Sequence, residues 1–399
     1  MPFSNMRSLE ANKELIYLRV LFFLFGLGIM SWVPRYPEVK AALKLDNGAF
    51  GSLISTGAIG SVISLLTVGH IVHKIGVRKV LHVASFLLMA TLSVLSFTNN
   101  FLIFFLANII FLGSISAFHI SINAQGFNYQ DRTGKFVITQ LSGLWSAGAL
   151  VTAFISGLLV DHISLGVHVS VLVIAIFIVN TYIINSLAPE LIKANEDSDI
   201  EYKLRDLFRG FSLDRMISFG LICAIFLEFA ISDWATIYTK EEIGISGGIN
   251  TLPYILFTLM MIFGRFTVHY LLPKFTLERL SIFASLLAGS SFLVSIFLAR
   301  AIFAPHQSIA FAIICIGFTL AGLGSSFLGP TFMNAANARS KHPASVVIGQ
   351  IGVSNIVLAF ILKWILAWTA QLTSLTIGLL IPALLLLTVP FFSKVLKSV

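Results

Sequence analysis

The sequence predicts an all-α integral membrane protein with twelve transmembrane helices. Three observations lead there: a composition that no aqueous core accommodates, twelve apolar runs of bilayer-spanning length, and basic residues sorted to one side of those runs.

Of 399 residues, 57% are hydrophobic and 11% charged, against about 25% charged in soluble domains. The mean hydropathy is +0.93. A water-soluble chain of this length divides its apolar surface among several cores, whereas lipid accepts it undivided. The 36 Phe suit lipid-facing and interhelical packing. A net charge of +8 would suit nucleic acid if the cations formed an aromatic-interleaved patch. They fall instead in short segments between apolar runs, so nucleic acid is not an expected partner. Cys223 and Cys315 both lie inside apolar runs and are too few for a disulfide framework. The first 14 residues are polar, with no short apolar stretch leading to a small-residue cleavage site. The first apolar run therefore reads as a retained span.

A span takes about 20 mainly apolar residues. Spans one to six are expected near 15–36, 49–72, 80–97, 101–124, 137–160 and 166–188. Spans seven to twelve follow near 216–238, 251–271, 278–299, 307–330, 345–367 and 372–392. Spans four and ten end least sharply, because polar residues enter them gradually. With the N-terminus cytoplasmic, nineteen Lys and Arg fall on the inside. Only Arg35, Lys40, Lys44, Lys240 and Arg300 fall outside. That bias predicts a multi-pass cell-membrane (inner-membrane) protein with both termini cytoplasmic.

The longest polar stretch, 189–215, separates spans six and seven. It is expected as a cytoplasmic linker between two six-helix bundles, 1–188 and 216–399. Leu204, Leu207 and Phe208 among its charges suit either a short surface helix or a plain solvated linker. The halves also echo each other. GHIVHKIGVRKVL from Gly69 is answered by GRFTVHYLLPKFTLERL from Gly264, and SINAQG around Asn123 by FMNAANA around Asn334. The offsets are 195 and 211 residues. A parallel repeat of two pseudo-symmetric six-span halves is the pattern of a duplicated transporter.

The stretch Gly69-His70-Ile71-Val72-His73-Lys74-Ile75-Gly76-Val77-Arg78-Lys79 resembles the loop motif of the major facilitator superfamily. That motif has two glycines, an acidic position and following basic residues. The glycines and the basic residues Lys74 and Arg78 match, while His73 occupies the acidic position. In the family that carboxylate caps a helix end and pairs with basic residues to help lock one gating state, so His73 implies only a partial latch. WVPRYPEVKAALKLDNGAFG at 32–51, NAQGFNYQDRTGK at 123–135, LWSAGAL at 144–150 and EFAISDWATIY at 228–238 resemble the YbjJ-type bacterial members. Those are distantly similar to fucose-permease-like transporters. The resemblance implies two bundles, a cavity lined by spans one, four, seven and ten, and ion-coupled transport.

An ionisable residue at membrane depth costs at least about 2.5–3.5 kcal/mol and marks a functional hypothesis. Glu228 lies about 12 residues into span seven, near the midplane, with no cation one helical turn away. A carboxyl there favours its protonated form and suits proton coupling or solute binding; the plainer reading is a carboxyl hydrogen-bonded between helices. Asp233 and Trp234 follow on span seven. Arg35, near the outer end of span one, is an expected partner for Asp233 in an outer gate; alternatively each meets interfacial water. His119, Ser121, Asn123 and Gln125 form a polar cluster on span four. His119 titrates near neutral pH. In YbjJ-type members an acidic residue is common near it, so the resemblance implies altered coupling. Asn334 and Asn337 occupy the corresponding place on span ten. Amides suit hydroxyl- or amide-bearing solutes and equally tie helix ends together. Trp145 on span five offers a face for a sugar or ring, or simply packs. Lys363 beside Trp364 and Trp368, like Arg19, reads as a snorkelling cation. Glycines of spans two and five permit close helix approach.

No phosphate-cradling loop is present: Gly134-Lys135 has Tyr129, not glycine, five positions before Gly134. No metal-ligand spacing stands out, and no extramembrane segment has the length of a catalytic domain. The expectation is a non-enzymatic, cofactor-free, monomeric transporter whose partners are lipid, a small-molecule solute and a proton. Efflux of drugs or metabolites, and a non-transporting receptor or scaffold, stay open beside it.

Overall fold

The structure, a computed structural model, describes residues 2–135, 137–194, 214–303, 306–339 and 344–398. Among these residues the chain is helical, without strands. Twelve segments are long and apolar enough to cross a membrane. The first six are Asn12–Ala42, Asn47–Ile75, Val77–Phe97, Phe101–Thr133, Gln140–Leu159 and Leu165–Ser186. The next six are Arg215–Glu241, Gly248–Val268, Leu277–Ile302, Gln307–Ala336, Gln350–Leu372 and Leu375–Lys397. Number and order match the expectation. The linker residues 195–213, including the expected surface helix around Leu204, lie outside the described residues.

Span four overruns its apolar window because its polar end still satisfies helical hydrogen bonds. Asn100 caps it, accepting from the N–H groups of Leu102 and Ile103 at 2.9 and 3.1 Å. It stops only at Gly134, whose φ of +70° is the left-handed terminator that glycine adopts freely. Span one breaks where prolines withdraw donors and disfavour helix in the residue before them. Its first helix ends at Ile29, a 3-10 turn covers Val33–Arg35 including Pro34, and Tyr36–Ala42 resumes with Pro37 in its first turn. Span ten breaks between Gln307–Ser325 and Leu328–Arg339.

The chain divides into two compact units. Unit one holds Met1–Trp32, Thr56–Thr152 and Ile163–Asp206; unit two holds Val33–Ser55, Ala153–His162 and Leu207–Val399. In unit one, glycines bring backbones together as expected. A Cβ on Gly60 would lie 1.9 Å from the Ile109 carbonyl oxygen, and one on Gly148 2.1 Å from that of Phe23. Gly26, not anticipated, does the same against the Trp145 carbonyl at 2.0 Å. In unit two, the residues after span one and at the start of span two pack on spans seven and eleven. Phe50 meets Trp234 edge to face at 6.2 Å, and a Cβ on Gly51 would lie 2.3 Å from Ala367 Cβ.

Candidate functional site

Unit two concentrates charge around span seven. Glu228 is one-third exposed, and its Oε2 stands 3.6 Å from Nη2 of Arg265. The sequence reading counted Arg265 among the cytoplasmic cations and gave Glu228 no cation one helical turn away. Span eight runs through Arg265 to Leu271 as expected, and the long side chain reaches back along it. A backbone detail fixes Arg265. Pro330 has no N–H, so the Ser326 carbonyl four residues earlier lacks its usual helical donor. Arg265 Nε donates to that oxygen at 3.0 Å. The break in span ten thus orients the cation that faces Glu228.

Five residues on, Asp233 is buried and its Oδ2 lies 2.8 Å from Lys363 Nζ. Lys363 also sits over the Phe229 ring, 5.3 Å from its centroid, an arrangement that favours a cation. The expected Arg35–Asp233 ion pair does not form; Lys363 takes that place beside Asp233. Arg35 closes on Glu38 three residues along, at 2.6 and 2.7 Å through Nε and Nη2, because the proline-broken turn presents both to one side. It also donates to the Val160 carbonyl at 3.4 Å. Nearby, Lys40 is buried and holds both carboxylate oxygens of Glu241 at 2.7 Å. It contacts the Asn47 side chain as well. Gln371 accepts from the Asn47 N–H at 3.0 Å, and Trp368 Nε1 donates to Ser52 at 3.1 Å. Beyond Trp234, none of these partners was anticipated. The signal that points to Lys363 and Arg265 is charge balance: two acids at membrane depth call for two cations.

In unit one, His119 is exposed and stacks on Phe25, with centroids 6.0 Å apart and rings 22° from parallel. Asn123 spends a donor on the His119 carbonyl at 2.8 Å. Gln125 is fully buried and faces a different task. Its amide donates to Glu14 at 2.9 Å and to the Glu190 carbonyl at 2.8 Å, and its oxygen accepts from the Ile192 N–H at 3.1 Å. Glu14, also buried, takes both its oxygens to Arg132 at 2.8 and 2.7 Å. This network ties the chain after span six to spans one and four, and the sequence reading missed Glu14, Arg132 and Glu190. Arg19 donates to Gln140 at 2.8 Å. Trp145 is half-buried, and its Nε1 has no hydrogen-bond partner among the described residues. On span ten Asn334 is exposed; the Asn337 side chain lies outside the described residues.

The loop after span two turns on Gly76, whose φ of +81° excludes most side chains. The Val77 N–H donates to the Ile192 carbonyl at 3.0 Å, and Arg78 to Asn185 at 2.8 Å. His73 is half-exposed and Lys74 exposed. Gly69 has open space where a Cβ would stand.

The sequence model of the Major Facilitator Superfamily matches residues 18–362. An uncharacterized MFS-type transporter of Yersinia pestis is 25% identical over 382 residues, covering 94% of each chain. The membrane protein MosC of Rhizobium meliloti is 25% identical over 336 residues, covering 84% of this chain and 77% of its own. Among solved structures, a mutant form of the nucleoside transporter NupG superposes with a TM-score of 0.75 at 15% identity, over 96% of this chain and 99% of its own. A D-xylose-proton symporter gives 0.67 at 14%, over 96% and 97%. At such identities the structures share the fold, twelve helices in two pseudo-symmetric six-helix bundles.

Proposed function

The chain belongs to the Major Facilitator Superfamily, and from that premise we propose that this membrane transporter moves a small polar solute, a sugar or related metabolite, with proton coupling through Glu228. The observation that carries the reading is the loose Glu228–Arg265 pair at 3.6 Å, each side chain one-third exposed. A carboxylate held at that distance has room to accept a proton, and doing so removes the attraction that keeps Arg265 turned toward it. Arg265 then keeps the Ser326 carbonyl and the Met261 sulfur as its partners. A polar solute can engage the guanidinium through its Nη donors. Asp233 and Lys363, tighter at 2.8 Å, hold their charges in place beside that step. The solved neighbours whose names give a nucleoside and D-xylose as cargo support a polar solute.

The proposal places both termini in the cytoplasm of a cell whose inner membrane carries the protein. On that orientation Arg35–Glu38 and Lys40–Glu241 stand at the outer ends of spans one and seven, and no enzymatic step takes part. Asn334, exposed on span ten, is a further polar contact available to a solute in unit two. In unit one, His119 and Asn123 offer polar groups and Trp145 a ring surface. The test is uptake into proteoliposomes of a panel of sugars, nucleosides, amino acids and apolar cations under an imposed pH gradient. The expected outcome is gradient-driven accumulation of one polar class, abolished in Glu228→Gln while exchange at equal pH survives. Accumulation unchanged in Glu228→Gln removes that residue from coupling. Movement of apolar cations alone replaces the solute class with efflux substrates.

A further inference from the structure

Unit one carries an open apolar groove that contains none of the residues of the proposed solute step. It lies among spans two, three and four, encloses about 350 Å³, and has Ile63, Ile71, Ile75, Val83, Leu87 and Ile110 along it. All six are exposed, Ile63 by 55% and Val83 by 56%. Within membrane-spanning helices such a rim meets lipid. The hydroxyls of Thr67 and Ser114, which also line it, turn back to the carbonyls of Ile63 and Ile110. The surface left is almost wholly hydrocarbon. From Gly60 to Ile75 the wall rises about 22 Å at 1.5 Å per residue. One leaflet's hydrocarbon is about 15 Å deep, so the groove is long enough to seat an acyl chain along its depth.

The groove ends at the Gly76 turn, where two cations have no acidic partner among the described residues. Lys74 lies three residues beyond Ile71, and Lys79 four before Val83. Helical spacing therefore puts both on the groove side of their helices. Both are exposed, and neither makes an ion pair or hydrogen bond among the described residues. Arg78 is occupied with Asn185. Between Asp46 and Asp131 the sequence has no acidic residue. The segment packed on the turn through Val77 and Ile192 brings Glu190, whose carboxylate is turned to Arg132 at 3.3 Å. A positive mouth over a hydrocarbon groove matches one ligand chemistry.

We propose that this groove binds an anionic phospholipid, with an acyl chain along spans two, three and four and the phosphate on Lys74 and Lys79. Basic sites between transmembrane helices hold anionic headgroups by the same logic.

The test is native mass spectrometry of the full chain in micelles titrated with dioleoyl phosphatidylglycerol or dioleoyl phosphatidylcholine. Retention of the glycerol lipid should exceed that of the choline lipid by about fivefold. That excess should vanish in Lys74→Gln/Lys79→Gln and persist in Lys274→Gln, which removes an equally exposed cation from another loop. Thr67→Leu adds bulk inside the groove and should lower retention of both lipids. Equal retention of the two lipids by the unaltered chain, an excess undiminished in the double variant, or full retention in Thr67→Leu would each overturn the proposal. The readout is lipid occupancy, so a failed transport assay leaves it standing.

Discussion

At the residue scale, the chain's intramembrane charges are settled in pairs, and the pairs are specific. Lys363 takes Asp233 at 2.8 Å and Arg35 takes Glu38 at 2.6 Å. Residues in one network show coupling of about 0.5–3 kcal/mol, while distant ones add. Asp233→Ala and Lys363→Ala should therefore be non-additive in thermal unfolding. Additive losses would mean that the pair does not hold Asp233. Glu228 was legible in the sequence because a carboxylate flanked by Phe, Leu and Ile stands out by itself. Its partner was not. Arg265 sits at the end of an apolar run, where hydropathy alone cannot separate a loop cation from one whose side chain runs back along its helix. Lys363 misled for a related reason: beside Trp364 and Trp368 it looks interfacial, while its Nζ in fact lies over Phe229. Gln125 stood out as polar, yet its burial against Glu14 and the 190–192 backbone follows only from how the chain returns after span six.

At the element scale, helix contacts in unit one depend on places where a backbone carbonyl occupies the room of a side chain. Gly60 and Gly69 belong to one helix and test this directly. A Cβ on Gly60 would fall 1.9 Å from the Ile109 carbonyl, while Gly69 has nothing within 4 Å. Gly60→Ala should cost about 1–3 kcal/mol, as overpacking does. Gly69→Ala should be neutral or stabilising by up to about 1 kcal/mol, since alanine is the better helix former. Thermal unfolding of both variants in detergent checks the pair; equal losses would mean that the close approach at Gly60 is not what holds spans two and four together. Glycine positions in spans two and five were readable as packing sites. Gly26 was not, because a glycine in a Leu- and Phe-rich run gives no hint of which backbone it meets. Proline acts at this scale too. Pro330 ends one ladder of hydrogen bonds, and the freed Ser326 carbonyl becomes the seat of Arg265.

At the scale of the whole molecule, the bias of nineteen inside cations to five outside predicts cytoplasmic termini. A fluorescent protein fused after Val399 should fluoresce, and alkaline phosphatase fused in the 244–247 loop should be active. Swapped signals would invert the topology, and with it the assignment of Lys40–Glu241 to the outer end. The number, order and helical nature of the spans were readable from the chain's local pattern. Each span must present about 20 apolar residues to lipid and satisfy its own backbone hydrogen bonds, and both demands are local in the chain. Only the tertiary structure decided which cation meets which carboxylate, and that Val33–Ser55 and Ala153–His162 pack within the same compact unit as Leu207–Val399. Those outcomes depend on helix rotation, on breaks at Pro34 and Pro330, and on how far a long side chain reaches across a helix interface, none of which hydropathy records.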